Sequence, residues 1–501
     1  MTPYQELERL FLQRGLLQEA SAVLHWDSAA MMPKGGAEAR AEQLAELKLA
    51  ARAPLLDPKT ADLLGAAEDA LGGDDEQPGA AWRQANLRAM RRIWRHETAV
   101  PDDLAVAASK AGSACEMVWR EARTQSDFAA VRPHLETVVG LTRDIAAAMA
   151  AALDCAPYDA LLDIFEPGAR SADIDVVFDQ LQKFLPDVLE RVLDRQQNAP
   201  APIMPAGPFA IERQRELGLR FMAALGFDFD HGRLDVSDHP FTGGVPSDVR
   251  LTTRYRSDDF VSALMGVLHE TGHALYEQGL PKSWARQPVG AAGGMTLHES
   301  QSLLIEMQVC RGPAFLTYAA PLLSEAFGGA GEAWQVDNLL RLYSRVERSL
   351  IRVDADEVSY PLHVMVRYRL EQALLSGDLA VADLPGAWND GVEAMLGVRP
   401  ANDREGCLQD IHWMDGAFGY FPTYTLGALA AAQIFAAAEQ AMPDLHATIA
   451  EGRFQPLLDW LRREIHGRGS LLETDALIKQ VTGRPLGVEA FCDHLQKRYL
   501  G

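Results

Sequence analysis

Apolar residues recur at spacings of three and four along most of the chain, which is the period of an α-helix. Over residues 4–151 this pattern is almost continuous and rich in Ala, Leu, Glu and Arg, which favour helix. A glycine-rich polar stretch at 71–79 predicts a solvent loop. Residues 248–255, where β-branched and aromatic residues alternate loosely, are the best strand candidate. The pattern therefore predicts a mostly α-helical protein with a small β element.

A strongly apolar helix is predicted directly after that strand. Its apolar positions are Phe260, Val261, Leu264, Val267, Leu268 and Leu275. The polar run 257–259 offers an N-cap, and Gly279 stands where a left-handed C-terminal residue is typical. A strand in this place could accept an extended peptide along its edge, or it could belong to a hairpin that only supports the helix.

The helix carries His269, Glu270 and His273 in the pattern H-E-x-x-H. Because an α-helix repeats every 3.6 residues, the two histidines share one face and can chelate one metal ion. Glu270 emerges beside the ion and not on it, which suits a general base for a water molecule. In a chain of this length and composition the pattern is expected by chance about 0.02 times. A pair of hydrogen-bonded core histidines is the alternative interpretation.

A catalytic zinc site needs a third protein ligand and keeps a position for water. Glu299 is the candidate, because it lies at the start of a second predicted helix that can pack back against the first. His298 is a rival ligand. Glu277 is another rival, although it lies far along the helix axis from His273 for joint chelation.

Composition narrows the class of protein. The formal net charge of −23 and the pI of about 5.0 argue against nucleic acid or an anionic membrane surface as a partner. The five cysteines are odd in number and lack C-x-x-C spacing, as expected in a reducing compartment and unlike a thiolate metal site. We see no signal peptide and no membrane-spanning apolar run, so we expect a cytoplasmic protein.

We expect one helical domain over residues 1–501, with an N-terminal helical half at about 1–199 and a catalytic half at about 200–501. A Pro- and Ala-rich segment at 197–208 marks their junction, either as a linker or as a buried loop. Two stretches of the catalytic half, 351–363 and 406–424, concentrate Arg, Asp, His, Trp and Tyr. Such a composition is unlike that of a plain core helix.

With these residues in view, the chain resembles the carboxypeptidase Taq family of zinc metallocarboxypeptidases along nearly its whole length. Six ordered motifs carry the resemblance: His239-Pro240-Phe241; Asp248, Arg250 and Thr252; H-E-x-x-H at 269–273; His298-Glu299-Ser300; Ile351-Arg352 with Ala355-Asp356; and Gly406 to Trp413. The resemblance implies a mostly α-helical fold with a deep active-site groove, similar to angiotensin-converting enzyme and neurolysin, assembled as a homodimer. It also implies His269, His273 and Glu299 as ligands and Glu270 as the general base.

The predicted function is zinc-dependent release of C-terminal amino acids from peptides. Co²⁺ or Mn²⁺ could occupy the same donors. An oligoendopeptidase of the same type and a non-catalytic metal-binding helical scaffold stay open as alternatives.

Residues that contact the substrate are predicted from chemistry. An exopeptidase must recognise a free carboxylate, which a planar guanidinium binds bidentately. Arg352 is the first candidate and Arg250 the second, while the alternative for Arg352 is an ion pair with Asp354 or Asp356. The motifs add His239, and the donors expected for an oxyanion are His412, Tyr420 and Tyr424.

Overall fold

The computed structural model describes residues 1–71 and 79–501, so most of the loop predicted at 71–79 lies outside the described residues. Helices dominate, and the strands form one small three-stranded sheet. The prediction of a mostly α-helical protein with a small β element is confirmed.

The chain groups into two compact units that alternate along the sequence. Unit 1 comprises Met1–Glu97, Pro202–Tyr343 and Ala430–Leu486. Unit 2 comprises Thr98–Ala201, Ser344–Leu429 and Gly487–Gly501. One boundary falls inside the Pro- and Ala-rich segment at 197–208. The single domain over residues 1–501 stays a prediction.

Unit 1 contains an N-terminal group of helices and the helices around the H-E-x-x-H segment. Their bounds are α1 Pro3–Ala30, α2 Ala37–Leu56, α3 Pro58–Leu71, α9 Ile211–Leu225, α10 Val261–Gly279, α11 Met295–Leu303, α12 Pro313–Phe327, α13 Val336–Tyr343, α17 Leu445–Ala450, α18 Gln455–Glu464 and α19 Thr474–Thr482, together with α4 Ala80–Ala99, whose last two residues belong to unit 2. A π-helix, Leu304–Cys310, continues α11 directly. The N-terminal helices pack around Leu7, Leu55 and Leu64, none of which is exposed to solvent.

Unit 2 is built mainly from long helices. Their bounds are α5 Asp102–Gln125, α6 Phe128–Leu153, α7 Pro157–Phe165, α8 Ser171–Gln197, α14 Tyr360–Ser376, α15 Leu384–Leu396 and α20 Glu489–Tyr499, and α16 Pro422–Ala441 begins in this unit and ends in unit 1. The buried carboxylate of Glu371 joins three segments of unit 2. It accepts hydrogen bonds from Tyr158 Oη at 2.7 Å, from Trp413 Nε1 at 2.8 Å and from Gly419 N at 3.1 Å.

The sheet has the strand order β1-β3-β2 and belongs to unit 1. β3, Asp248–Thr253, is the central strand, parallel to β1, Gly232–Val236, and antiparallel to β2, Phe241–Val245. The strand predicted at 248–255 is thus present, but both of its edges are already paired. The hypothesis that it accepts a peptide along its edge is wrong for β3, because β1 and β2 are the edge strands.

Among the described residues no single helix is long and apolar enough to cross a membrane. The pair α6 and α7 passes this test together by length and composition alone, with a bend of 84° between the two helices.

Candidate metal centre and substrate-side residues

Helix α10 presents the H-E-x-x-H segment, and its two ends are fixed by different means. The N-cap residue is Phe260, one position after the polar run predicted to supply it, but Asp259 Oδ1 accepts hydrogen bonds from the backbone N–H groups of Val261 at 2.9 Å and Ser262 at 3.2 Å. Gly279 ends the helix without a left-handed φ, and that prediction is wrong. Glycine is needed there because a Cβ atom would lie 2.6 Å from the His466 Nδ1 atom.

Three donor atoms converge beside α10. The Oε2 atom of Glu299 lies 3.3 Å from His273 Nε2 and 3.8 Å from His269 Nε2, and the three donors lie within 4.8 Å of one another. Tetrahedral zinc with bonds of about 2.0–2.2 Å places its ligand atoms roughly 3.3–3.6 Å apart. The donor set therefore fits a divalent metal ion. No fourth His, Cys, Asp or Glu joins this group among the described residues.

Gly272 allows the helix that carries Glu299 to approach α10. A Cβ atom at Gly272 would lie 2.5 Å from the Gln301 carbonyl oxygen and 2.6 Å from the Ser302 Cα atom. The backbone of α11 therefore passes directly over the turn that joins the two histidines. Any side chain larger than hydrogen at this position would force α10 and α11 apart.

Glu306 is a partner of His269 that the sequence analysis missed. Its Oε2 atom lies 2.9 Å from His269 Nδ1, and its Oε1 atom accepts a hydrogen bond from Arg311 Nη2 at 2.6 Å. The spacing held a signal, because Glu306 follows Glu299 by two helical turns and therefore shares its face. The π-helix that continues α11 brings Glu306 to the outer nitrogen of the His269 ring while Glu299 faces the inner one.

His298 and Glu277, the two rival ligands, lie outside the donor group. The Nδ1 atom of His298 is 2.8 Å from His273 Nδ1, on the side of the ring away from Glu299. The Nε2 atom of His298 is 2.9 Å from Glu277 Oε1. His298 therefore contacts the outer nitrogen of His273, and Glu277 contacts His298.

Carboxyl groups lie around the two imidazoles of the donor group. Burial alone would lower the pKa of His269, but Glu299 and Glu306 raise it to about 10. Burial lowers the pKa of His273, which favours its neutral, metal-binding form. Burial opposes ionisation of Glu299, yet the two neighbouring histidines hold its pKa below the usual value. Such a set of carboxylates around two imidazoles favours a bound cation.

Glu270 lies on α10 beside the donors and is 7% exposed. The Oγ1 atom of Thr242, on edge strand β2, lies 2.7 Å from Glu270 Oε2 and 3.0 Å from the Glu270 carbonyl oxygen. The edge strand β2 therefore holds one oxygen of this carboxylate in place.

In unit 2, Arg352 is buried and forms an ion pair, but with neither Asp354 nor Asp356. Its Nη2 and Nε atoms donate to Asp410 Oδ1 at 2.8 and 3.2 Å, and its Nη1 atom donates to Tyr360 Oη at 2.9 Å. Each terminal nitrogen of a guanidinium has a second N–H. Arg352 can therefore bind a further acceptor without losing these bonds.

Asp410 is shared by two arginines. Arg367, fully buried, donates from Nε to Asp410 Oδ2 at 2.6 Å. Burial opposes ionisation of Asp410, yet Arg367 and Arg352 hold its pKa well below the usual range. Burial and the same two arginines lower the pKa of His412 to about 4, and burial and Arg367 lower that of His363 to about 3. Asp410 is therefore the carboxylate that the two guanidinium groups share.

His412, Tyr420 and Tyr424 lie together in unit 2. The His412 Nε2 atom is 3.4 Å from Tyr424 Oη, and the ring centroids of Tyr420 and Tyr424 are 5.1 Å apart. His412 Nδ1 is buried and has no hydrogen-bond partner among the described residues. The three residues predicted as oxyanion donors are thus neighbours.

The remaining candidates, Arg250 and His239, belong to unit 1. Arg250 donates from Nη2 to Asp248 Oδ2 at 2.5 Å, and its guanidinium lies 4.5 Å from the ring centroid of Trp26. His239 is exposed, and its carbonyl oxygen accepts a hydrogen bond from Ser237 Oγ at 2.6 Å. Arg250 is therefore largely engaged by its own strand and by α1.

Known proteins resemble this chain over its full length. A sequence profile of the carboxypeptidase Taq (M32) metallopeptidases matches residues 6–499. Thermostable carboxypeptidase 1 of Thermus thermophilus is 40% identical over 511 aligned residues, which cover 100% of this chain and 99% of the relative. Carboxypeptidase 1 of Bacillus subtilis is 34% identical over 486 residues, covering 96% of this chain and 95% of the relative.

Solved structures agree with these matches. Metallocarboxypeptidase 1 of Trypanosoma cruzi superposes with a TM-score of 0.96 at 39% identity, covering 100% of this chain and 99% of the other. The M32 carboxypeptidase of Deinococcus radiodurans gives a TM-score of 0.91 at 33% identity, with 99% and 98% covered. The chain therefore belongs to the carboxypeptidase Taq (M32) family of metallopeptidases, and it is a metallocarboxypeptidase, a hydrolase whose substrates are peptides.

Proposed function

We propose that this metallocarboxypeptidase binds zinc through His269, His273 and Glu299 and uses Glu270 as its general base. The observation that carries the proposal is the group of three donors within 4.8 Å of one another beside a buried carboxylate. Two imidazoles and one carboxylate suit zinc, although Co²⁺ or Mn²⁺ could bind the same donors. Three protein ligands also leave room for water, whereas a structural zinc site has four.

The chemistry divides between the ion and the protein. Zinc held by His269, His273 and Glu299 would polarise the scissile carbonyl and would lower the pKa of a water molecule towards about 7. The carboxylate of Glu270 accepts a proton from the attacking water and then delivers that proton to the leaving amine. Thr242, by its contact with Glu270 Oε2, keeps the carboxylate in one orientation during both transfers.

Recognition of the C-terminal carboxylate is assigned to Arg352, with Arg250 as the second candidate. Among the described residues, the two buried guanidinium groups of Arg352 and Arg367 form their ion pairs with the same carboxylate, that of Asp410. A buried charge without a partner is unfavourable. An anionic group of the substrate would therefore pair with the guanidinium charge that Asp410 alone does not neutralise. The ion pair with Asp410 also holds the Arg352 side chain in place before substrate binds.

An oligoendopeptidase, the alternative that the sequence alone left open, cuts inside the peptide and needs no free carboxylate, whereas the named relatives are carboxypeptidases. Time courses of peptide digestion, read by mass spectrometry, separate the two. We expect products shortened one residue at a time from the C-terminus, and we expect amidation of the C-terminus to suppress them. Internal fragments released from amidated peptides at an undiminished rate would contradict the proposal.

The Arg352→Ala variant addresses the same point from the protein side. We expect KM to rise. The rise should correspond to a loss of binding free energy on the order of 2 to 5 kcal/mol, the cost of leaving a desolvated carboxylate unpaired. Arg399→Ala is the control, because Arg399 is an exposed arginine of unit 2 that pairs with Asp390 and Glu393. If amidated and free peptides differ as much with Arg352→Ala as with the parent enzyme, another residue binds the carboxylate.

Two further properties belong to this proposal. The homodimer rests on the family resemblance, and the cytoplasmic location rests on the composition, which includes five cysteines without C-x-x-C spacing. Both stay predictions, which sedimentation of the purified enzyme and cell fractionation would test.

A further inference from the structure

His273 has an outer partner of a different kind from that of His269. The outer nitrogen of His269 faces the carboxylate of Glu306, whereas that of His273 faces a second imidazole, His298. We propose that His298, supported by Glu277, is a positioning residue that holds His273 in its metal-binding orientation and tautomer. This inference rests on the proposed zinc site.

The hydrogen-bond chain has one consistent direction. When His273 uses Nε2, the atom 3.3 Å from Glu299, as its metal donor, its hydrogen resides on Nδ1. That Nδ1–H points at His298 Nδ1, 2.8 Å away, so the His298 atom accepts. His298 then carries its hydrogen on Nε2 and donates it to Glu277 Oε1 at 2.9 Å. The carboxylate at the end of the chain therefore fixes the tautomers of both imidazoles.

The position of His298 is incompatible with a ligand role. Its two ring nitrogens are already engaged, one by His273 and the other by Glu277. The rings of His273 and His298 are inclined by 30° with centroids 4.6 Å apart, and the His298 side chain is 18% exposed. Rotation of His298 towards the donor group would break both hydrogen bonds.

The sequence places this arrangement on two helices that already hold the ligands. Glu277 lies one helical turn beyond His273 on α10, and His298 immediately precedes Glu299 on α11. Adjacent residues on a helix point about 100° apart, so one turn of α11 offers a ligand and an outer partner at the same time. Residues in such outer positions typically change metal affinity by about 10- to 100-fold.

The test measures zinc affinity of the full-length enzyme by competition with a chromogenic chelator. His298→Ala should weaken zinc binding by about 10- to 100-fold. His298→Asn should recover most of the affinity, because the amide oxygen can occupy the place of Nδ1 and accept from His273. Glu277→Gln should have a small effect, since its amide oxygen still accepts from His298. His231→Ala is the control, because His231 is an exposed histidine paired with Asp228.

A second readout separates positioning from ligation. The visible absorption of the Co²⁺-loaded enzyme reports the number of donors, and we expect the same spectrum for the parent, His298→Ala and His298→Asn. A spectrum with one donor fewer in both variants would overturn the inference in favour of ligation. Unchanged zinc affinity in both variants would also overturn it.

Failure of the zinc site itself gives a different result. His269→Ala is measured in the same competition assay as a reference. If His269→Ala binds zinc as tightly as the parent, the proposed function fails and the inference fails with it. If His269→Ala loses zinc while His298→Ala keeps it, the inference alone fails.

Discussion

Tyr424 lies between a buried guanidinium and a neutral imidazole in unit 2. The Arg352 guanidinium is 5.0 Å from the Tyr424 ring centroid, and His412 Nε2 is 3.4 Å from the hydroxyl oxygen. A hydroxyl next to a positive charge is a good donor to a developing oxyanion. We therefore expect Tyr424→Phe to lower kcat by about 10²- to 10³-fold with little change in KM.

Tyr318→Phe is the control for the Tyr424→Phe variant. Tyr318→Phe loses a hydroxyl in unit 1, where the Tyr318 ring packs against Phe454, and should leave kcat unchanged. An unchanged kcat for Tyr424→Phe would exclude Tyr424 as a donor and leave Tyr420 and His412.

The relative positions of side chains could be predicted from sequence where one helix sets their geometry. The spacing of His269 and His273 fixes their common face, and the structure places their Nε2 atoms together as that spacing predicts. Asp410 could not be found in this way, because it lies far along the chain from Arg352 and only the fold of unit 2 brings the two together. Proximity in sequence instead points to Asp354 or Asp356 as the partner of Arg352.

At the scale of elements, the contact between α10 and α11 determines whether Glu299 reaches the two histidines. The contact depends on Gly272, where a Cβ atom would overlap the backbone at Gln301 and Ser302. We expect Gly272→Ala to lower zinc affinity and the midpoint of thermal unfolding, because the two helices must separate. Chelator competition and calorimetry measure these two quantities.

Gly266 provides the matched control on the same helix. A Cβ atom there meets nothing closer than the Thr253 Oγ1 atom at 3.9 Å. Gly266→Ala should therefore be neutral or slightly stabilising, since alanine favours helix by up to about 1 kcal/mol over glycine. Equal behaviour of the two variants would show that the close approach at Gly272 is not required.

Strand β3 illustrates what local pattern leaves undetermined. Its alternation predicts a strand, and the strand is present over Asp248–Thr253. Strand order is a non-local property, and here the parallel partner β1 and the antiparallel partner β2 enclose β3 on both sides. The edge beside Glu270 is therefore β2, a glycine-containing segment whose composition gives a weak strand signal.

For the whole molecule, the helical class and the family follow from sequence, because helical periodicity and ordered motifs extend along the chain. The division into two units does not, since each unit is assembled from three separate segments. Contacts between segments so far apart are not encoded in any local window. The groove and the homodimer, which the resemblance implies, stay predictions.

At the scale of the entire enzyme, we propose that zinc held by α10 and α11 acts together with Glu270 to hydrolyse peptides. Removal of the metal by a chelator should abolish activity, and one equivalent of Zn²⁺ per chain should restore it. The activity of the enzyme is also tested by the Glu270→Gln variant. Its control is Glu212→Gln, which removes the charge of an exposed glutamate on α9.

The most direct test is the Glu270→Gln variant, assayed for metal content and kcat on the same preparation. We expect one bound zinc ion per chain, as in the parent, and a kcat lowered by about 10²- to 10⁴-fold, the usual contribution of general acid–base catalysis. If the variant kept both its zinc and its full kcat, Glu270 could not be the base.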